Sequence, residues 1–381
     1  MKNNDICPYY KYCGGCSFQG TEYKKQLEKK QEYINKLLSK YHKVNKIIGM
    51  GDPLNYRNKI QVSFGYDAKH NVIYGNYIPS THAIVEIDDC MLADKKSLEM
   101  ISYIKKLIIK YHISIFDEDS LKGVIRHVQI RNTSLNEYMV ILVVGIYHSK
   151  KLEVLVNDLK KKYKEIKTIV QNINNRHTSM VLGDKNIVLY GKGYILDTLC
   201  GLMFKLSPSS FYQVNKRQTK ILYSTAINLA GFDLNDVVID AYSGIGTISL
   251  IVSKYVKSVI GVEINKAAIK DAINNSKLNK IDNSYFVCDD AGRFMNKYAK
   301  DKKKVDFVIM DPPRSGADDK FLSSLIRLKP RKILYISCGP ESLKNNLKYL
   351  TKNNYAVKEI QPVDMFPFTE HVECIVVLQY K

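Results

Sequence analysis

From Thr21 to Tyr41 apolar residues return at helical intervals. Tyr23, Leu27, Ile34, Leu38 and Tyr41 share one face, with Lys and Glu elsewhere, which predicts an amphipathic helix. From about residue 55 to about residue 200 the pattern is mainly that of strands and turns. KIQVSFGY, GVIRHVQIRN, EYMVILVVGI and NIVLYGKGYI are rich in β-branched and aromatic residues and read as strands. Leu152, Leu155, Val156, Leu159 and Tyr163 predict a helix near 151–164. After about residue 206 helix and strand alternate. The helix KRQTKILYSTAINLAG leads to the strand DVVIDAYSG, TISLIVSKY to SVIGVEI, and KAAIKDAINNSKLN to SYFVCDD. VDFVIMDPPR, RKILYISCG and HVECIVVLQ are later strands. Apolar strands alternating with helices predict an α/β domain with a mostly parallel sheet, covered on both faces. No internal repeat or low-complexity linker breaks the chain.

The 381 residues suffice for two or three domains. With 45% hydrophobic and 25% charged residues, the composition is that of a soluble globular protein. MKNNDICPYY has no apolar core of a signal peptide. The longest apolar run, Tyr138–Tyr147, is too short to span a bilayer, which needs about 20 residues. A cytoplasmic protein is expected. Lys and Arg number 58 against 38 Asp and Glu, a net charge of +20. That imbalance favours a polyanionic partner through counterion release, although the Lys, Asn and Ile bias of an AT-rich genome produces it too. Eight cysteines in a reducing compartment point to metal binding or catalysis rather than disulfides.

Candidate chemistry gathers at strand ends. VVIDAYSGIGTISL places Gly244 and Gly246 between a strand and a helix, where a ligand is approached by backbone. The pattern lacks the Lys-Ser/Thr of a phosphate-binding loop. The next strand ends at Glu263, 23 residues beyond Asp240, a spacing that suits hydrogen bonds to ribose hydroxyls. The third strand offers Asp290 near an adenine ring and the fourth ends in DPPR, Asp311–Arg314. This succession resembles the S-adenosylmethionine-dependent methyltransferases. Cys338 ends an apolar strand before Gly339 and Pro340, so its thiol is expected at the sheet's carboxyl edge; a buried strand-end cysteine is the structural alternative. Glu373 lies in an apolar strand, where a carboxylate is costly unless paired or functional and burial makes it a stronger base. Its neighbour Cys374 faces the other way and reads as core. A cysteine with a glutamate base suits carbon 5 of uracil. Thiolate addition to carbon 6 makes carbon 5 nucleophilic, and a base then removes the carbon-5 proton so that the thiol can eliminate.

SFYQVN (Ser210–Asn215), DAYSGIGTISL, GVEIN, DPPRSG, YISCGP and DMFPFTEHVECIVVL fall in an order that resembles the RNA uracil-5 methyltransferases over nearly the whole chain. The resemblance implies a Rossmann-like S-adenosylmethionine methyltransferase domain over 206–381. Before it comes a β-rich (α+β) RNA-binding domain over 1–205 with an N-terminal iron–sulfur segment, and the helix over 21–41 can pack on the catalytic domain. It implies cofactor contacts from Gln213, Tyr242, Glu263, Asp290 and Asp311, Cys338 as nucleophile and Glu373 as base. Ser243 replaces a frequent cysteine, and Gly339 stands where Asn or Asp is common.

Cys7, Cys13 and Cys16 have the spacing C-x5-C-x2-C, and Cys90 is the nearest remaining cysteine. In one branch of the family, which includes enzymes acting on 23S ribosomal RNA, this arrangement carries a 4Fe–4S cluster. Four thiolates suit such a cluster; a zinc site usually shows two tight pairs. The chain begins at these cysteines, so the OB-like module of many relatives is expected to be absent. RNA contacts are then expected from Arg57, Lys59, Arg126, His127 and Arg131. The expected partner is 23S ribosomal RNA, with transfer-RNA uridine 54 as the alternative. A non-catalytic RNA-binding or iron–sulfur scaffold is disfavoured by the Cys338–Glu373 pair, and a small-molecule methyltransferase by the charge.

Overall fold

The structure, a computed structural model, describes residues 7–79, 81, 83–146 and 149–381. The stretch before Cys7, read above as lacking an apolar leader, and Tyr147, which ends the long apolar run, lie outside the described residues. In chain order the elements begin with α1 (Tyr10–Cys13), α2 (Tyr23–Leu38), β1 (Lys59–Tyr66), β2 (Val72–Tyr77), β3 (Ile84–Glu86) and α3 (Lys95–Lys110). They continue with β4 (Ile125–Asn132), β5 (Tyr138–Val144), α4 (Ser149–Lys162), β6 (Ile166–Ile173), β7 (Lys185–Gly191), β8 (Ile195–Leu199) and β9 (Leu202–Leu206). Then come α5 (Lys216–Ala230), β10 (Val237–Asp240), α6 (Thr247–Val252), β11 (Ser258–Glu263), α7 (Lys266–Leu278), β12 (Ser284–Cys288) and α8 (Ala291–Lys300). The last are β13 (Phe307–Met310), α9 (Asp319–Leu328), β14 (Lys332–Ser337), α10 (Pro340–Lys352), β15 (Tyr355–Val363) and β16 (Glu373–Tyr380).

The chain folds as two units. The first holds the described residues up to Gly20, Pro53–Thr198 and Lys205–Ser209. Its seven-stranded sheet runs β3-β2-β1-β4-β5-β6-β7. Its pairings are antiparallel except β5–β6, whose parallel pairing follows from the crossover through α4. The helix α3 is absent from the strand reading of this region. Its signal is Leu98, Ile101, Leu107 and Ile108 at helical spacing, with Asp94 accepting a hydrogen bond from Ser97 N at its start. Ile101, Leu107 and Ile108 join Val128, Ile130, Val140 and Leu142 in one apolar core. The expected strand NIVLYGKGYI is two strands, because Gly191 and Gly193, with φ of 78° and 76°, turn the chain between β7 and β8.

The second unit holds Thr21–Asp52, Leu199–Phe204 and Ser210–Lys381. Its sheet runs β12-β11-β10-β13-β14-β16-β15, parallel through β14, with β16 antiparallel to both its neighbours. Whereas a division at 205/206 leaves 21–52 with the first domain, in the structure this segment belongs to the second unit. α2 packs on α10 and β15, and Ile34, Leu37 and Leu38 enter their core. The buried face of α2 also carries Gln26 and Lys30, which the apolar pattern assigned to solvent. Lys30 Nζ lies 2.6 Å from Asp364 Oδ1 and donates to Phe366 O at 3.1 Å. Tyr23 Oη donates to Asp364 Oδ2 at 2.8 Å, and Gln26 Oε1 accepts from Phe368 N at 2.9 Å. No helix among the described residues is long and apolar enough to cross a membrane.

Breaking a buried pair strands a charge. Lys30→Met should destabilise the protein by about 3–5 kcal/mol in urea unfolding. Adding Asp364→Asn should recover much of that loss, because the stranded charge is gone. Lys95→Met, which breaks the exposed pair with Asp89, should change stability little. Equal losses for Lys30→Met and Lys95→Met would contradict the assignment.

Candidate functional site

β10 and β13 are parallel neighbours at the point where the strand order reverses. Ligands of such sheets sit there, outside the carboxyl ends of the strands. A pocket opens at this place, lined by Phe211, Gln213, Tyr223, Asp240, Tyr242 and Asp311 together with the glycine loop from Ser243 to Ile245. Three of the five expected cofactor residues, Gln213, Tyr242 and Asp311, therefore meet in one cavity. Tyr242 is held by Phe321, ring centroids 5.5 Å apart. The other two stand outside the lining. Glu263 accepts from Gly244 N at 3.1 Å and Asn265 N at 2.8 Å, which fixes the glycine loop to the end of β11. Asp290 caps α8, accepting from Arg293 N at 2.8 Å, with Lys320 Nζ at 3.9 Å.

The pocket is electrostatically unusual. Asp240 is buried, its Oδ2 accepts from Ser249 Oγ at 2.6 Å, and its Oδ1 has no close hydrogen-bond partner among the described residues. Burial lifts its pKa to about 6. Asp311 is raised by burial and then by the Asp240 charge, and Glu373 by burial and then by Asp311. Tyr223, on the buried face of α5, is raised well above the ordinary tyrosine value by burial and then by Asp311. Sequence reasoning used Asp240 only as a spacing marker and passed over Tyr223. A tyrosine in an apolar helical stripe carries no signal that separates pocket from core.

Cys338 follows β14 directly, and Glu373 opens β16. The antiparallel pairing runs to Ser337↔Cys374, and one further step sets Cys338 opposite Glu373. Burial pushes the Cys338 thiol up to about 11, with Glu373 and then Asp311 adding to the rise and Arg314 opposing it. Arg314 shares a 2.7 Å hydrogen bond with His371 Nδ1. Cys374 lies in the apolar core. A Cβ on Gly339 would fall 2.4 Å from the Arg314 carbonyl oxygen, so the loop after Cys338 closes too tightly for any side chain.

Two expected RNA contacts are ruled out by their own bonds in the first unit. Arg126 is buried in a two-pronged pair with Glu118, at 2.9 and 2.6 Å, and also donates to Asn174 O and Arg176 O at 3.1 Å. His127 is buried beside Ser63 Oγ at 3.0 Å, and burial followed by the Arg126 charge lowers its pKa to about 4. Lys59 and Arg131 stand opposite each other across β1 and β4; Arg131 is buried and donates to Ser207 O at 3.4 Å, and burial, then the Arg131 charge, then Arg57 lower the Lys59 pKa. The four candidate metal cysteines are drawn into one neighbourhood. Burial raises Cys7, and Cys90 and Cys13 add to it; burial raises Cys16, with Arg57 opposing and Cys90 and Cys13 adding. Asn76 Nδ2 donates to Cys13 Sγ at 3.1 Å. A set of four thiols suits a soft metal or cluster in kind. Among the described residues, however, no three His, Cys, Asp or Glu side chains are gathered closely enough to hold a metal ion.

Comparison with known proteins places this geometry. An uncharacterized RNA methyltransferase of Caldanaerobacter subterraneus is 41% identical over 381 residues, 99% of this chain and 84% of that protein. An uncharacterized RNA methyltransferase of Staphylococcus aureus is 38% identical over 98% of this chain and 84% of its own length. The crystal structure of Pyrococcus abyssi tRNA (uracil-54, C5)-methyltransferase in complex with S-adenosyl-L-homocysteine matches with a TM-score of 0.80 and 27% identity, over 96% of this chain and 85% of that one. The family model described as tRNA (Uracil-5-)-methyltransferase runs from residue 22 to residue 381, and the chain thus belongs to that family of S-adenosylmethionine-dependent RNA methyltransferases.

Proposed function

We propose that the enzyme methylates carbon 5 of a uridine in 23S ribosomal RNA, with Cys338 as nucleophile and Glu373 as base. The observation that carries this reading is the β14–β16 register, which sets Cys338 opposite a buried Glu373 beside the pocket residue Asp311. Gln213, Tyr242 and Asp311 hold S-adenosylmethionine, and Glu263 and Asp290 contribute from the ends of the neighbouring strands. Glu263 has acceptor capacity for ribose beyond the two backbone bonds it makes, since a carboxylate offers about four lone-pair sites. The cofactor supplies an electrophilic methyl group. Cys338 adds to carbon 6, and the electrons reach carbon 5. After methylation Glu373 takes the carbon-5 proton. The C–H pair restores the double bond while the C–S pair returns to the thiol sulfur. The uridine must leave its stack to present carbon 6.

The 4Fe–4S cluster is the finer part of this proposal. Cys7, Cys13, Cys16 and Cys90 would hold it, as a staple between the N-terminal segment and the sheet of the first unit. The cysteine set favours 23S ribosomal RNA. A second reading, transfer-RNA uridine 54, draws on the likeness to the Pyrococcus enzyme.

The catalytic assignment has a sharp outcome. Glu373→Gln keeps its shape but cannot accept the proton, so on a denaturing gel it should accumulate a methylated covalent RNA adduct. Cys338→Ala should form neither adduct nor product. Normal turnover by Glu373→Gln removes it as the base, and an adduct with Cys338→Ala moves the nucleophile elsewhere. Protein purified without oxygen should be brown, and Cys7→Ser, Cys13→Ser, Cys16→Ser or Cys90→Ser should lose the colour; stoichiometric zinc without iron would refute the cluster. For the substrate, 5-methyluridine mapping in a deletion strain should show loss from 23S ribosomal RNA. Loss from position 54 of transfer RNA instead would establish the second reading.

A further inference from the structure

Asp240, Asp311 and Glu373 come together from three strand ends. Asp240 closes β10 and pairs with Ile309 across the sheet; Asp311 stands two residues beyond Ile309; Glu373 opens β16. Asp240 and Glu373 are buried, and Asp311 opens onto the pocket that Asp240 also lines. Among the described residues none of the three is in an ion pair with Lys or Arg. Glu263 adds a further negative charge facing Asp240. The other groups that face them are Tyr223 from α5, Tyr212, and Tyr335 and Cys338 from β14 and its loop; Cys374 neighbours Glu373 on the opposite face of β16. Arg314, the cation facing Cys338, is exposed and bonded to His371. Burial and mutual repulsion disfavour ionising all three carboxylates, so the group gains proton affinity until a cation stands beside it.

The cofactor of the proposed reaction changes its charge during the reaction. Its sulfonium is a cation; once the methyl group leaves without its bonding electrons, sulfur keeps the pair and is a neutral thioether. We propose that Asp240, Asp311 and Glu373 act as a proton reservoir governed by that charge, losing a proton to solvent when the sulfonium binds and regaining proton affinity when it becomes neutral. Glu373 is thereby emptied on loading and becomes the stronger base after methyl transfer, when the carbon-5 proton must be removed. That proton moves to Glu373, and the next sulfonium to bind expels it to solvent. This inference rests on the role proposed for Glu373 and adds the coupling to cofactor charge. The sign follows from competition: protons and the sulfonium neutralise the same carboxylates, so sulfonium affinity rises with pH and thioether affinity does not share that rise.

Calorimetry on the full chain tests this without turnover. S-adenosylmethionine and S-adenosylhomocysteine are each titrated near pH 7 in two buffers of different ionisation heat. The sulfonium should release about one proton more than the thioether, and its Kd should fall by up to about tenfold per pH unit through neutrality. Glu373→Gln should bind both ligands and lose most of the excess release, while the protons of the ligands' own amino groups remain as an internal reference. Asp311→Asn, measured wherever it still binds, should reduce the excess as well. Equal release for the two ligands, or an excess unchanged in Glu373→Gln, overturns the reservoir. If Glu373→Gln still traps the RNA adduct while no excess is seen, the coupling fails and the base assignment stands. If Glu373→Gln turns over normally, the base assignment fails and the inference falls with it.

Discussion

The site depends on one strand entering the sheet the wrong way round. β10, β11, β12, β13 and β14 run parallel, as their helical crossovers require, and their carboxyl ends form a single edge. β16 runs antiparallel beside β14, so its first residue, not its last, arrives at that edge. Only this orientation brings a residue at the start of a strand face to face with one just past the end of another. The register then leaves little choice. A slip of one residue would carry Glu373 to the opposite face and bring Cys374 out of the core. The apolar run from Cys374 to Leu378 fixes the register by being buried.

The approach to β16 is fixed as firmly as the strand. Residues 364–372 lead into Glu373, and the buried Lys30–Asp364 pair, Tyr23 and Gln26 hold that stretch from α2. Burial lowers the Lys30 pKa, and the Asp364 charge and hydrogen bond oppose the fall. A buried ion pair is seldom a net gain in stability over an apolar pair of the same shape. What it supplies here is geometry, since a charge needs one specific partner where an apolar side chain accepts many.

Much of the second unit was legible from its sequence because its strands are short apolar runs that end in carboxylates or glycine. Such punctuation survives without knowledge of tertiary contacts. The pairing of Cys338 with Glu373 was legible as chemistry, and the β14–β16 register supplied its geometry. Lys30 and Gln26 were not legible, because a lysine at a helical core position looks like a register error until Asp364 is found. Arg126 and His127 failed as RNA contacts for the converse reason: a basic residue in a strand reads as surface until Glu118 and Ser63 are seen beside it. The helix α3 carried a clear apolar stripe, lost among strand-like neighbours. The metal role expected for the cysteines rested on spacing for Cys7, Cys13 and Cys16 and on elimination for Cys90, and among the described residues no three such side chains lie close enough to hold a metal ion.

The chain order of α2 also bears on how the protein is made. Lys30 and Asp364 are 334 positions apart, so α2 leaves the ribosome long before its partner exists. Contacts of such separation form late and pay a large loop-closure entropy first. Until β15 and the segment after it emerge, α2 displays Ile34, Leu37 and Leu38 to solvent, an amphipathic surface open to chaperones. The sheet edge that bears Cys338 and Glu373 is therefore completed last. A chain truncated before Asp364 keeps α10 and β15, on which α2 packs, but leaves Lys30 without its buried carboxylate partner.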